Sequence, residues 1–196
     1  RLDRGTAIVL DDRANPEVRA LAELFAAPLR AVSGLPLPVV PGPALERDAS
    51  DRITLRLEPA SPTDSAKSER YSLVVTERGA TVSAPSAADL FYGLQTVRQL
   101  LPPEYERGVR ALAPWDSSGG RQTATQATAA TPARWSIPAV EIEDAPRFPY
   151  RGILLDLGRY YEPPEFVKRV VDYIAIYKYD RLQLHLTDDQ GWRIEI

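Results

Sequence analysis

A chain of 196 residues with 26% charged residues, a net charge of −3 and a pI near 5.3 has the composition of a folded, mildly acidic protein. Phosphate binding needs a basic face, so this balance argues against nucleic acid as the main partner, and no apolar run reaches the ~18 residues of a membrane span. The absence of cysteine excludes disulfides, thiolate metal sites and a cysteine nucleophile.

Residues 1–144 read as a self-contained α/β domain. Residues 6–10 (TAIVL) form a β-branched strand, and Asn15-Pro16 opens a helix. Residues 17–32 place Val18, Leu21, Leu24, Phe25, Leu29 and Val32 on one helical face, with Pro28 as a kink or early end and Ser33-Gly34 as the stop. Strands are expected at 53–57 (ITLRL) and 71–75 (YSLVV), the second turning at Glu77-Arg78-Gly79 into a hairpin partner at 80–83. Ser86 is a candidate N-cap for a helix burying Leu90, Phe91, Leu94, Val97 and Leu101. Residues 103–133 read as a mobile insertion, because 117–131 (SSGGRQTATQATAAT) has no large apolar residue to repay its ordering entropy. A strand around 135–140 closes the domain.

The segment 145–196 changes character. Residues 152–158 (GILLDLG) are an apolar strand carrying one acid, Asp156. Residues 162–178 repeat apolar residues at Phe166, Val167, Val170, Val171, Ile174 and Ala175, the stripe of an amphipathic helix. Pro163 and Pro164 suit its start, and Lys178 suits the negative end of its dipole. Residues 181–187 (RLQLHLT) alternate strictly, with Gln183, His185 and Thr187 on one face and Leu182, Leu184 and Leu186 on the other. They end in the polar turn Asp188-Asp189-Gln190-Gly191. Strand, helix, strand is the βα unit of parallel sheets and barrels.

Four side chains at these strand ends invite chemistry. Arg159 directly follows a strand; its planar fork can close the strand end by an ion pair, with Asp188 or Glu162, or grip vicinal hydroxyls of a pyranose. Asp188 and Asp189 are an acidic pair, which can share a metal, share a proton or cap a turn. His185, the only histidine, is expected as a hydrogen-bonded interior residue, the alternative being a group that tunes neighbouring carboxylates. Tyr160, Tyr161 and Trp192 can stack on sugars or simply pack. No Gly-x-Ser-x-Gly elbow and no phosphate-cradling glycine loop occurs.

The segments PRFPYRGILLDLGRYY and LQLHLTDDQGWRIEI closely resemble the first two barrel strands of glycoside hydrolase family 20, the β-N-acetylhexosaminidases. Residues 86–102 and 135–146 resemble the end of the smaller α/β domain that precedes the family's barrel. The resemblance implies an N-terminal α+β sandwich domain followed by the start of a (β/α)8 barrel. A barrel needs roughly 200–250 residues, so the barrel is expected to be incomplete here and the chain to be part of a longer polypeptide. The implied activity is removal of terminal N-acetylglucosamine or N-acetylgalactosamine from glycans or chitooligosaccharides, by substrate-assisted retaining catalysis with neither cofactor nor metal. The resemblance implies that Arg159 binds the terminal sugar and that Asp188 is a supporting active-site carboxylate. Asp156, His185 and Asp189 stand behind them, with Asp189 fixing the loop through backbone N–H groups. The family's catalytic Asp-Glu dipeptide is absent, so residues 1–196 alone are expected to be inactive. A secreted or periplasmic setting follows from the family alone. An O-GlcNAcase-like or α-glucuronidase-like barrel enzyme and a non-enzymatic carbohydrate-binding module are the rival readings.

Overall fold

The computed structural model describes residues 1–11, 16–42, 51–59, 69–112 and 135–195. They divide into two units, Arg1–Ala145 and Pro146–Ile196.

The first unit is built on a mixed six-stranded sheet in the order β2-β1-β3-β5-β4-β6. Its strands are β1 (Ala7–Leu10), β2 (Val39–Pro41), β3 (Arg52–Leu57), β4 (Tyr71–Thr76), β5 (Gly79–Ala84) and β6 (Val140–Asp144). The β2, β1, β3 and β5 neighbours run parallel, whereas β4 is antiparallel to both β5 and β6. Register aligns the apolar positions into rows across the sheet. Leu10, Leu55, Val82, Leu73 and Ile142 form one row, and Ile8, Ile53, Ala80, Val75 and Val140 another. Helices α1 (Pro16–Ser33) and α2 (Ala87–Leu100) share one core with these rows, through Val18, Leu29, Leu90, Leu94 and Val97. Each such fully buried side chain contributes about 1.5–3 kcal/mol relative to exposure. The row between, Val9, Thr54, Thr81, Val74 and Glu141, points to the other face, as the period of two requires.

Local chemistry explains most boundaries. The Ser86 hydroxyl accepts the Asp89 N–H at 3.2 Å and donates to the Asp89 carboxylate at 2.7 Å, closing the start of α2. Gly34, at φ 70°, ends α1 with its N–H on the Arg30 carbonyl. Gly79, at φ 145°, opens β5, and a Cβ there would sit 2.5 Å from the Arg52 carbonyl oxygen of the neighbouring parallel strand.

Several expectations need correction. Pro28 neither ends nor interrupts α1, because Phe25, Ala26 and Leu29 are anchored in the core around it. The carbonyl it cannot serve belongs to Leu24, whose side chain is 65% exposed rather than on the buried face. Residues 103–112 form a helix where no element was expected, α3 (Pro103–Leu112), with Tyr105 buried and Gly108 pressed on Val32 of α1. Arg98 locks α3 to α2 through two bonds to Glu106, at 2.6 and 3.1 Å, and lies over the Tyr105 ring. The rest of the expected insertion, including 117–131, lies outside the described residues. The closing strand begins only at Val140; Trp135 instead offers its carbonyl to the Leu2 N–H at 2.6 Å. Strand β2 was not expected at all. It is a proline-flanked edge strand, reached through Leu37 at φ 38°, a conformation held by Arg30 donating to the Pro36 and Leu37 carbonyls.

The second unit pairs β7 (Gly152–Asp156) in parallel with β8 (Arg181–His185) across helix α4 (Pro164–Ile176), and adds a small hairpin of β9 (Thr187–Asp188) and β10 (Gly191–Trp192). Pro164 starts α4 and Lys178, at φ 59°, takes the left-handed position after its end. Its apolar surfaces are only partly covered: Leu154 is 54%, Val171 45% and Leu184 40% exposed, while Leu157 is buried. Among the described residues no helix is long and apolar enough to cross a membrane.

Candidate active site

Two parallel neighbours bring the predicted residues together. Register pairs Asp156, the last residue of β7, with His185, the last of β8. The chain leaving β7 then curls onto β8, with the N–H groups of Leu157 and Gly158 both donating to the His185 carbonyl at 2.9 Å. Two glycines permit a close approach at this point. A Cβ on Gly158 would lie 3.2 Å from the Asp188 nitrogen, and one on Gly191 would lie 2.6 Å from the Gly158 carbonyl oxygen. Backbone thus meets backbone, and the loop carrying Arg159 lies against the hairpin carrying Asp188.

Asp156 grips Arg159 twice, accepting its backbone N–H at 3.0 Å and its Nε at 2.6 Å. The same Nε stands 3.5 Å from Asp188 Oδ2. The ion-pair partners are therefore Asp156 and Asp188 rather than Glu162. The guanidinium engages through Nε alone; among the described residues its two Nη groups form no hydrogen bond, and its side chain is 59% exposed. A planar pair of amino groups, fixed at the stem and open at the tip, suits two adjacent hydroxyls.

His185 sits between the carboxylates. Its Nε2 lies 2.8 Å from the Thr187 carbonyl, which as an acceptor requires Nε2 to carry the proton. Nδ1 faces Asp156 Oδ1 at 3.7 Å, and Nε2 faces Asp188 Oδ2 at 3.6 Å. Asp156 is held below the usual carboxylate range, first by the Arg159 N–H and then by the guanidinium. Asp188 is also lowered, first by the Asp189 backbone N–H and further by His185 and Arg159. That Asp189 N–H reaches Asp188 Oδ1 at 2.8 Å, so the backbone bond expected of the Asp189 carboxylate is made by Asp188 instead. An acid inside the tight turn is better placed to take the next N–H than one at its exposed tip.

Arg193 escaped the sequence reading. Its Nε donates to the Leu157 carbonyl at 2.9 Å and its guanidinium lies over the Tyr161 ring, tying β10 to the loop after β7. Nothing in its sequence neighbourhood marked it. Trp192 and Tyr160 stand exposed nearby in sequence. Among the described residues no group of three histidine or acidic side chains could hold a metal ion.

Comparison with known proteins decides the family. Residues 1–145 match the model described as glycosyl hydrolase family 20, domain 2, and residues 148–196 match that family's catalytic domain. The chain belongs to glycosyl hydrolase family 20. A beta-hexosaminidase of Porphyromonas gingivalis is 36% identical over 180 residues, 92% of this chain and 20% of that protein. The beta-N-acetylhexosaminidase of Cellulomonas fimi is 33% identical over 195 residues, all of this chain and 32% of that one. Among solved structures, the family-20 beta-N-acetylhexosaminidase of Streptomyces coelicolor A3(2) aligns with a TM-score of 0.74 at 35% identity, covering 98% of this chain and 32% of its own. A Streptomyces plicatus beta-hexosaminidase in complex with GlcNAc aligns equally well at 38% identity, with the same coverage. The chain spans about a fifth to a third of the length of these family-20 relatives.

Proposed function

We propose that this chain is the N-terminal α/β domain and the first βα unit of a (β/α)8-barrel β-N-acetylhexosaminidase, which removes terminal N-acetylhexosamine from glycans or chitooligosaccharides. The observation that carries the reading is Arg159, tethered by its stem to Asp156 and presenting both Nη groups at the end of a parallel strand. Barrel enzymes place substrate-binding groups at that end of their strands. A relative crystallised with GlcNAc and another named N,N'-diacetylchitobiase favour an amino-sugar substrate.

In this reaction the substrate's own acetamido oxygen attacks the anomeric carbon and displaces the leaving alcohol, which an acid of the enzyme protonates. Arg159 contributes by holding the sugar hydroxyls, so that the acetamido group starts from a productive geometry. Asp188 keeps a negative charge beside that arginine and orients it.

The test is hydrolysis of a chromogenic N-acetyl-β-glucosaminide against the corresponding β-glucoside by the full-length protein. The glucosaminide should be strongly preferred, because the glucoside lacks the internal nucleophile. Arg159→Ala should lower kcat/KM by about a hundredfold or more, since each charge-assisted hydrogen bond to a hydroxyl contributes about 1.5–3 kcal/mol. Equal rates on both substrates, or near-normal kcat/KM in a folded Arg159→Ala protein, would rule the reading out.

A further inference from the structure

Four side chains at the strand ends form a closed ring. Arg159 Nε meets Asp156 Oδ2 at 2.6 Å; Asp156 Oδ1 faces His185 Nδ1 at 3.7 Å; His185 Nε2 faces Asp188 Oδ2 at 3.6 Å; and Asp188 Oδ2 returns to Arg159 Nε at 3.5 Å. Among the described residues, one contact of the imidazole is short enough to be a hydrogen bond, the 2.8 Å approach of Nε2 to the Thr187 carbonyl. That carbonyl belongs to the peptide that leads into Asp188. The ladder of β8 ends at His185 and β9 begins at Thr187, so the chain must step between them. The imidazole spans that step.

We propose that His185 is a positioning residue: by donating Nε2–H to the Thr187 carbonyl it fixes the step into β9 and aims Asp188 at Arg159. The inference rests on the reading of Arg159 as the sugar-holding group. A carboxylate aimed at Nε from the Asp188 side complements the one from Asp156, and a guanidinium held from two sides has one orientation for its Nη pair. Without the strut the Thr187 carbonyl loses its partner, the peptide is free to turn, and Arg159 keeps only the Asp156 side of its cradle.

The two ring nitrogens can be separated by substitution. A glutamine amide nitrogen reaches the place of Nε2, whereas an asparagine amide nitrogen overlays Nδ1, which faces Asp156 rather than Thr187. Phenylalanine keeps the ring volume and loses both. The experiment measures kcat/KM on the chromogenic N-acetyl-β-glucosaminide for His185→Phe, His185→Asn and His185→Gln in the full-length protein, each alone and combined with Arg159→Ala, with thermal melts alongside. His185→Phe and His185→Asn should each lower kcat/KM about tenfold, and His185→Gln should stay within about threefold of the parent. In the Arg159→Ala background all three should change the rate less than about twofold, because the residue through which they act is gone. Should His185→Phe fail to fold, the Asn–Gln pair decides. Equal, additive losses in both backgrounds, or rescue by Asn and not Gln, would overturn the assignment while leaving Arg159 in place. A fully active Arg159→Ala protein would instead remove the sugar-holding reading itself, and this inference with it.

Discussion

Substituting Gly191 by alanine should damage the candidate site without replacing any of its functional side chains. The added Cβ would stand 2.6 Å from the Gly158 carbonyl oxygen and 2.7 Å from an Arg193 Nη atom. The arginine tip can swing away, at the expense of its bond to the Leu157 carbonyl and its stack on Tyr161. The carbonyl is backbone and cannot, so the β9–β10 hairpin must retreat by about 0.5–1 Å to reach ordinary contact, an overpacking strain of roughly 1–3 kcal/mol. The same retreat carries Asp188 away from Arg159. Misplacement of a positioned group by about 1 Å typically costs on the order of a hundredfold in rate, so kcat/KM should fall about 30- to 100-fold. Steady-state kinetics and a thermal melt on the full-length protein measure both effects. Gly5→Ala serves as a control, since its nearest neighbour to a new Cβ is 3.4 Å away on the Asp3 side chain. A Gly191→Ala protein with unchanged melting and kcat/KM within twofold would refute the close approach of the two loops.

Tyr71→Phe should destabilise the first unit by about 1.5–3 kcal/mol, because the phenol donates to the Asp144 carboxylate at 2.7 Å and shares a 2.6 Å bond with Thr96 in the core. Urea unfolding reads this directly, and a loss below about 0.5 kcal/mol would contradict it. The carboxylates of Asp156 and Asp188 titrate lower folded than unfolded, so the stabilisation they bring is present above about pH 4 and disappears as pH falls through their lowered values. Carboxyl-carbon NMR should place both midpoints below those of free aspartate; midpoints above about 4 would show the Arg159 and Asp189 bonds to be absent in solution.

Legibility in the sequence followed the range of the interaction. Helix α2 could be read from Ser86 to Leu101 because its cap lies three residues from its partner and its stripe repeats locally. The β4–β5 hairpin was equally plain, since Gly79 sits where the tight turn needs it. Strand β2 was hidden because prolines dominate its neighbourhood and its strand character comes from β1 alongside. Helix α3 was hidden because the residues that anchor it, Glu106 on Arg98 and Gly108 against Val32, find their partners on other helices. At the site, Arg159, Asp156, His185 and Asp188 stood out as polar residues at strand ends. The meeting of Gly158 with Gly191 and the tie from Arg193 to Leu157 did not. Both join the loop after β7 to the β9–β10 hairpin, and no local pattern encodes them.

The position of β6 sets a timetable for the nascent chain. As the polypeptide leaves the ribosome, β5 finds β3 and β4 within a short stretch of sequence, but the outer edge of β4 stays bare until β6 appears, with Tyr71 and its acceptor Asp144 separated by 73 positions. An unpaired edge is a template for a neighbouring chain, and contacts this distant form late because loop closure must come first. The first unit therefore stays open throughout the synthesis of α2, α3 and the residues between α3 and β6. It closes only as residue 144 emerges, just before Pro146 begins the second unit. Emergence of β6 is the moment at which the edge of β4 ceases to be a template for a neighbouring chain on the same message.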